Sequence, residues 1–208
     1  MPRSATTTRE RLLSAGARLF ARHGIDGAAT RDIVALAGQA NDSAVHYHFG
    51  SRHGLLTAII ERHVQHMEDQ RKPALDALGP APDLGAVVAA VVGPVAAELT
   101  REDGRDFLRI IAQLAGRAGV RTHELPDPVA GTALAGQLAL LEDCCRARLP
   151  EPVALERIAL TITMLTASLA DRANRIDERL PVLLDHPAFV ANLIAMLTAG
   201  LEADVAPD

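Results

Sequence analysis

Apolar and polar residues follow one another along this chain with helical rather than strand periodicity. Leu12, Leu13, Ala17, Leu19 and Phe20 recur at helical intervals behind Thr7 and Glu10, whose spacing is that of a capping box, and Gly24 stops the run. This predicts a first helix over 7–23. Thr30 reads as the N-cap of a two-turn helix over 31–37, with Asp32 favourably placed in its first turn and Ile33, Leu36 and Ala37 apolar, ended by Gly38. Asn41 or Asp42 can cap a further short helix that carries Val45 and Phe49 on one face and ends at Gly50. Ser51 then caps a long helix over 52–72, with Leu55, Leu56, Ile59 and Val64 inward.

Beyond Pro73 the pattern stays helical, and prolines punctuate it into segments near 84–100, 104–118, 129–148, 153–176 and 187–203. Pro94 is expected to kink or break the first of these, because it deletes a backbone donor inside an apolar run. The charged stretch Asp171 to Arg179, ending in Leu180-Pro181, suggests a loop before the last helix. No repeat of solenoid length and no low-complexity tract is visible. The expected fold is therefore all-α.

Composition sharpens this picture at two points. Aromatic residues make up 2% of the chain and tryptophan is absent, so the core must be built from Ala, Leu, Val and Ile, which suits closely packed helices. The charge is unevenly spread: residues 1–53 hold seven arginines, four acids and four histidines, a net +3, inside a chain of net charge -5. A basic N-terminal unit on an acidic body is what a nucleic-acid-binding head would show. The most apolar stretch, Leu84 to Ala97, is 14 residues long and interrupted by Gly93 and Pro94, short of the roughly 20 residues a membrane span needs. With no apolar leader after Met1, the expectation is a cytoplasmic protein without membrane contact.

A short helix, a glycine turn and another short helix, braced by a longer one, form a helix-turn-helix, whose second short helix enters a major groove. The residues Ala28-Ala29-Thr30-Arg31-Asp32-Ile33, Leu36-Ala37-Gly38, Ala44-Val45-His46-Tyr47-His48-Phe49-Gly50-Ser51-Arg52 and Leu55-Leu56 strongly resemble the DNA-binding domain of TetR/AcrR-type transcriptional regulators. The resemblance covers roughly 7–63. It implies a DNA-binding domain at 1–53, running into a linker helix at 52–72, and a larger helical effector-binding and dimerisation domain at 73–208. By position, it implies that Thr30 and Arg31 face the groove and that Asn41, Asp42, Ser43 and Ala44 sit where bases are read. Tyr47, His48 and Arg52 would hold the DNA backbone, with His46 beside them. His46 stands where the family commonly has a first tyrosine, and the turn Gly38 to Ser43 is one residue longer than the usual pattern.

In the last two helices Ile158, Ile162, Leu165, Leu169 and Ile176 make one seam, and Leu160, Met164 and Ala167 a second. Phe189, Leu193 and Met196 line up in the closing helix beside Val190, Ile194, Leu197 and Leu201. This is more apolar surface than one small monomer buries, so a homodimeric four-helix contact is expected, centred on Ile158, Ile162, Leu165, Leu169, Phe189, Leu193, Met196 and Leu197. By resemblance the middle helices enclose an effector pocket. Its candidate lining is Val88, Val91, Val92, Phe107, Ile111, Leu114, Leu138 and Met164, which suits an apolar small molecule.

Arg101, Arg105 and Arg109 interleave with Glu98, Glu102 and Asp106 and read as a solvated helix face. His63 and His66 read as a solvated pair, and His46 and His48 diverge by about 200° on a helix, so neither pair predicts a metal. No GxSxG, HExxH, Walker loop or GxGxxG occurs, and Cys145, with His123 or His186 as its base, would be a lone nucleophile in a packed helix. The sequence thus points to a non-enzymatic regulator without cofactors, a repressor that leaves a pseudo-palindromic operator when an effector binds. A helical protein that only dimerises, or an activator without small-molecule control, is the alternative.

Overall fold

The computed structural model describes residues 7–41, 43–118 and 129–205. Among them are nine α-helices, one 3-10 turn and no strand. They are α1 (Thr8–Gly27), α2 (Thr30–Leu36), α3 (Ser43–Phe49), α4 (Arg52–Asp76), α5 (Leu84–Ala97), α6 (Glu102–Ala118), α7 (Ala133–Arg146), α8 (Glu151–Asp177) and α9 (His186–Glu202), with the 3-10 turn at Glu98–Thr100.

The helix starts are set locally. Thr7 accepts from the Glu10 N–H at 3.2 Å while Glu10 accepts from the Thr7 N–H at 2.8 Å, completing the capping box. Ser51 accepts from the Gly54 N–H at 2.9 Å, Asp83 caps α5, Thr132 caps α7 and Asp185 caps α9. α2 differs from expectation: Thr30 is its first helical residue, because the Ala29 carbonyl already accepts from the Asp32 and Ile33 N–H groups. Gly24 breaks α1 as expected, at φ +80°, although helical turns resume to Gly27.

Two prolines do not act as helix stops. α4 runs through Pro73 to Asp76, and α5 continues through Pro94 to Ala97 before tightening into the 3-10 turn. Pro94 is buried in the core, and the packing of α5 on α4, α7 and α9 outweighs the single missing backbone bond. Asp171 to Asp177 is likewise helical, because α8 extends through the charged stretch, and the loop begins at Glu178.

The apolar stripes close into two cores. One gathers Leu12, Leu13 and Phe20 of α1, Ile33 and Val34 of α2, Val45 of α3 and Leu55, Leu56 and Ile59 of α4, together with Ile110 of α6. The other gathers Met67 of α4, the valines of α5, Phe107 and Leu108 of α6, Leu141 and Cys145 of α7, Leu165 and Leu169 of α8, and Leu193, Leu197 and Leu201 of α9. α4 and α6 belong to both. α8 is long and apolar enough by composition to cross a bilayer, with a mean hydropathy of 1.5 over its most apolar window. In this fold its Ala154, Leu165, Leu169 and Ala173 side packs into the second core, as in a bundle helix.

Candidate nucleic-acid interface

α3 is held by one face and presents the other. Val45 is 2% exposed in the first core, and Ala44 and Phe49 pack against it, whereas Ser43, His46 and Tyr47 face solvent. Tyr47 is 84% exposed, so its ring and hydroxyl are open to a partner. His48 stands edge-on to it at 5.0 Å between ring centroids, and Arg9 of α1 lies over the Phe49 ring at 5.1 Å. Asn41 accepts from the Ser43 N–H at 2.9 Å through its Oδ1, and its carbonyl accepts from the Ala44 N–H, so it tethers the start of α3. Asp42 lies outside the described residues.

At the start of α2, Arg31 is exposed and its Nε is 3.4 Å from Asp32 Oδ1, a surface contact that costs little to break. Thr30 is half-buried and Leu36 is 50% exposed on the same short helix. Between α3 and α4, Gly50 holds φ +72°, a conformation other residues adopt only with strain, and this sharp turn sets α3 against the long helix.

Arg52 departs from its expected role. Its Nε donates to the Ala28 carbonyl at 3.0 Å and its guanidinium lies 5.3 Å from the Phe20 ring centroid, with Nη2 buried. The side chain ties the start of α4 to the α1–α2 connection. Of the ten candidates, Arg31, Asn41, Ser43, His46 and Tyr47 are therefore exposed, Thr30, Ala44 and His48 are half-buried, and Arg52 is turned inward.

The body also departs from expectation. Of the candidate pocket residues, Val88, Val91, Val92 and Phe107 are close-packed in the second core at 8% exposure or less, with Ile111 against it. Leu114 packs against the first core, Leu138 is half-buried, and Met164 is 38% exposed on the outside of α8. Among the dimer candidates, Leu165, Leu169, Leu193 and Leu197 are buried inside the subunit, and Ile158 and Phe189 pack against the same core. Ile162 is half-buried, and Met196 at 49%, Leu160 at 60% and Met164 at 38% are exposed. The inward faces of α8 and α9 make the core of one chain; the outward faces are what remains.

Arg105 and Arg109 are not a solvated face. They grip Asp177 of α8 at 2.6 and 2.5 Å, and Arg109 also meets Asp106 at 3.1 Å. Burial works to raise the Asp177 pKa, but hydrogen bonds from Arg109 and Arg105 hold its carboxyl below the usual range. Burial wins at Asp106, whose pKa is raised against the pull of Arg109. With Arg18, Arg22 and Asn174 these groups line an open polar cleft of about 620 Å³ between α1, α6 and α8.

The expected solvated histidine pair is also split. His63 is 1% exposed, stacked 4.5 Å from the Phe107 ring, with Nδ1 2.7 Å from Glu98 Oε2, while His66 remains half exposed. The signal was present in the spacing: Leu55, Ile59, His63, Met67 and Arg71 lie four apart on α4, so the polar members share the buried stripe of the apolar ones. No cluster of three or more metal-ligating side chains occurs among the described residues. Cys145 is 1% exposed and burial pushes its thiol up to about 11, the opposite of an activated nucleophile. His123 lies outside the described residues.

Residues 12–59 match the family model described as bacterial regulatory proteins, tetR family. The whole fold is similar to a TetR-like transcriptional regulator from a Rhodococcus species, at 13% identity over 98% of this chain and 100% of that one, with a TM-score of 0.57. It is similar to a TetR variant from Acinetobacter baumannii in complex with minocycline, at 15% identity over 91% and 92% of the two chains and a TM-score of 0.53. A putative transcriptional regulator from Streptomyces coelicolor matches at 23% identity over 92% and 96%, with a TM-score of 0.51. No functionally curated protein matches the sequence.

Proposed function

We propose, from the match of residues 12–59 to the tetR family, that this chain is a DNA-binding transcription regulator of that family and acts as a homodimeric repressor released from its operator by a small molecule. The carrying observation is α3: Tyr47 projects into solvent from a helix whose opposite side is locked by Val45, Ala44 and Phe49. In this reading Tyr47 and His48 hold phosphates, and Arg31, Asn41, Ser43 and His46 reach base edges. The guanidinium of Arg31 matches the O6 and N7 acceptors of a guanine. The reaction is binding alone; no bond in DNA or ligand is made or broken.

Two copies are required because one short helix covers only half a site. The outward strip of Leu160 and Met164 on α8 and Met196 on α9 supplies the contact. Recognition helices one DNA turn apart, about 34 Å, then read a pseudo-palindrome. Release is a population shift in which the effector favours a body conformation with a different separation of the two heads.

The test is fluorescence anisotropy against duplex DNA from the region upstream of the gene itself, with a scrambled duplex as competitor, at two salt concentrations. Specific binding with two or more chains per site is the expected result. Equal, weak, salt-sensitive binding to both duplexes counts against readout by α3 at that site. Substituting Arg31→Ala is expected to relax preference at one base pair by about 1–3 kcal/mol, and an equal loss on random DNA removes its reading role.

A further inference from the structure

Arg71 is 2% exposed and is the most voluminous of the fully enclosed side chains among the described residues. It sits where α4, α5 and α7 meet. Its Nη1 donates to Gln137 Oε1 of α7 at 2.7 Å and to the Val91 carbonyl of α5 at 3.4 Å. Gln137 is itself 0% exposed and returns a contact from Nε2 to the Arg71 carbonyl at 3.5 Å.

The other edge of the guanidinium is different. Nε is buried without a partner, and among the described residues Nη2 meets only the Met67 sulfur, a weak acceptor, at 3.7 Å. Nε–H and Nη2–H point side by side, the spacing that two oxygens of one carboxylate accept. Among the described residues no carboxylate forms an ion pair with Arg71. Glu68, one turn earlier on α4, accepts from the Ala133 N–H of α7 at 2.8 Å through Oε2, and its Oε1 is buried without a hydrogen bond. Burial lowers the Arg71 pKa to about 10, with Glu68 working against the shift, so the group stays charged at neutral pH. A charge enclosed in this way with no carboxylate in contact with it among the described residues, Glu68 acting only at longer range, is a cost that folding normally removes by pairing.

The surroundings of Arg71 are aliphatic. The core that α5 and α7 build here is Val87, Val88, Val91 and Leu141, aliphatic throughout, and Met67 is the most adaptable side chain in it. We propose that Arg71 anchors the effector site, and that its occupant is a small organic acid with an aliphatic body whose carboxylate accepts from Nε and Nη2 once the Met67 thioether swings aside. The inference deepens the effector-controlled reading above and rests on it. The same site would link ligand to DNA: α4 carries Arg71 near one end and runs into the first core at the other, through Leu55 and Ile59.

The experiment titrates the full-length chain with straight-chain monocarboxylates from butanoate to dodecanoate, and with the alcohols of matching length, by calorimetry and thermal melting. At least one acid is expected to bind about tenfold or more tightly than its alcohol, as charge-assisted bidentate pairing predicts. In Arg71→Met/Gln137→Leu, which removes both polar partners, the preference is expected to vanish while specific DNA binding persists. That variant is also expected to melt no lower than the parent without ligand, since an unpaired buried charge has gone. If it fails to fold, Arg71→Lys decides: it keeps the charge, loses the fork, and should weaken the acid about tenfold. Absence of any acid-over-alcohol preference, its survival in either variant, or an equal response to chloride or inorganic phosphate overturns the proposal. Intact DNA binding without acid binding defeats this inference alone; loss of specific DNA binding in the parent defeats the regulator reading instead.

Discussion

Tyr47 and Arg52 are five residues apart, and the structure turns one outward and the other inward. Tyr47 touches little of its own chain, so Tyr47→Ala is expected to change unfolding free energy by no more than about 0.5 kcal/mol. Its affinity for specific and scrambled duplexes should fall by the same factor in anisotropy titrations, as loss of a phosphate contact does. Arg52→Ala breaks a charged donor's bond to the Ala28 carbonyl and a contact with the Phe20 ring, and should cost about 1–3 kcal/mol in urea unfolding. The salt dependence of DNA binding decides whether Arg52 also meets phosphate: an unchanged slope assigns it to the fold, and a drop of about one unit assigns it to both. Residue type and position made both candidates legible in the sequence. Their difference was not, because a guanidinium at a helix start can reach a phosphate or a carbonyl, and only the position of Ala28 and Phe20 chooses.

At the scale of the element, the helices start where caps and glycines place them and continue where packing allows. Gly50→Ala is expected to destabilise the chain by about 1–2 kcal/mol in thermal or denaturant unfolding, because φ +72° burdens any residue with a Cβ. α6 is fastened to α8 by charge, which makes that contact pH-dependent. The Asp177 pKa is lower in the folded chain than in an exposed carboxyl, so its contribution is complete above the unfolded value, about 4, and is lost as pH falls through the folded one. Asp106 acts in the opposite sense: its pKa is raised, so its contribution is greatest at low pH and declines as pH rises through the folded value. Asp177→Asn is therefore expected to flatten the loss of stability on acidification below about pH 4, measured by urea midpoints across a pH series. An unaltered acid limb would mean that the pair of arginines does not hold α8.

At the scale of the whole molecule, two helices among the described residues bridge the two cores. α4 is one link. The other is α6, where Ile110 enters the first core, the Ile25 N–H donates to Gln113 Oε1 at 2.9 Å and Gln113 Nε2 donates to the Phe20 carbonyl at 3.2 Å. Arg18 of α1 reaches Glu102 of α6 at 2.6 Å beside them. A swing of α4 alone would strain these contacts, so the head and α6 are expected to move as one. The outer strip of α8 and α9 belongs to this scale too. Leu160→Glu with Met196→Glu should shift the chain from dimer to monomer in sedimentation velocity and raise the concentration needed for specific DNA binding. Subunit stability should change little, since neither side chain is part of the core. A dimer that survives both changes would place the contact elsewhere.

Sequence alone determined what depends on neighbours within a turn or two. The capping box at Thr7 and Glu10, the cap at Ser51, the breaks at Gly24, Gly38 and Gly50 and the apolar stripes are interactions between residues three or four apart. They fixed the order of helices and the exposed tip of α3. Tertiary packing decided which of two apolar faces on α8 and α9 faces inward, and so made Leu165, Leu169, Leu193 and Leu197 core and left Leu160, Met164 and Met196 outside. It let Pro94 lie inside a continuous helix, and it enclosed His63 and Arg71 because their stripe on α4 is shared with Ile59 and Met67. A polar side chain does not declare its burial locally; that is settled by what lies across from it, here Glu98, Phe107 and Gln137, between 35 and 66 residues away along the chain.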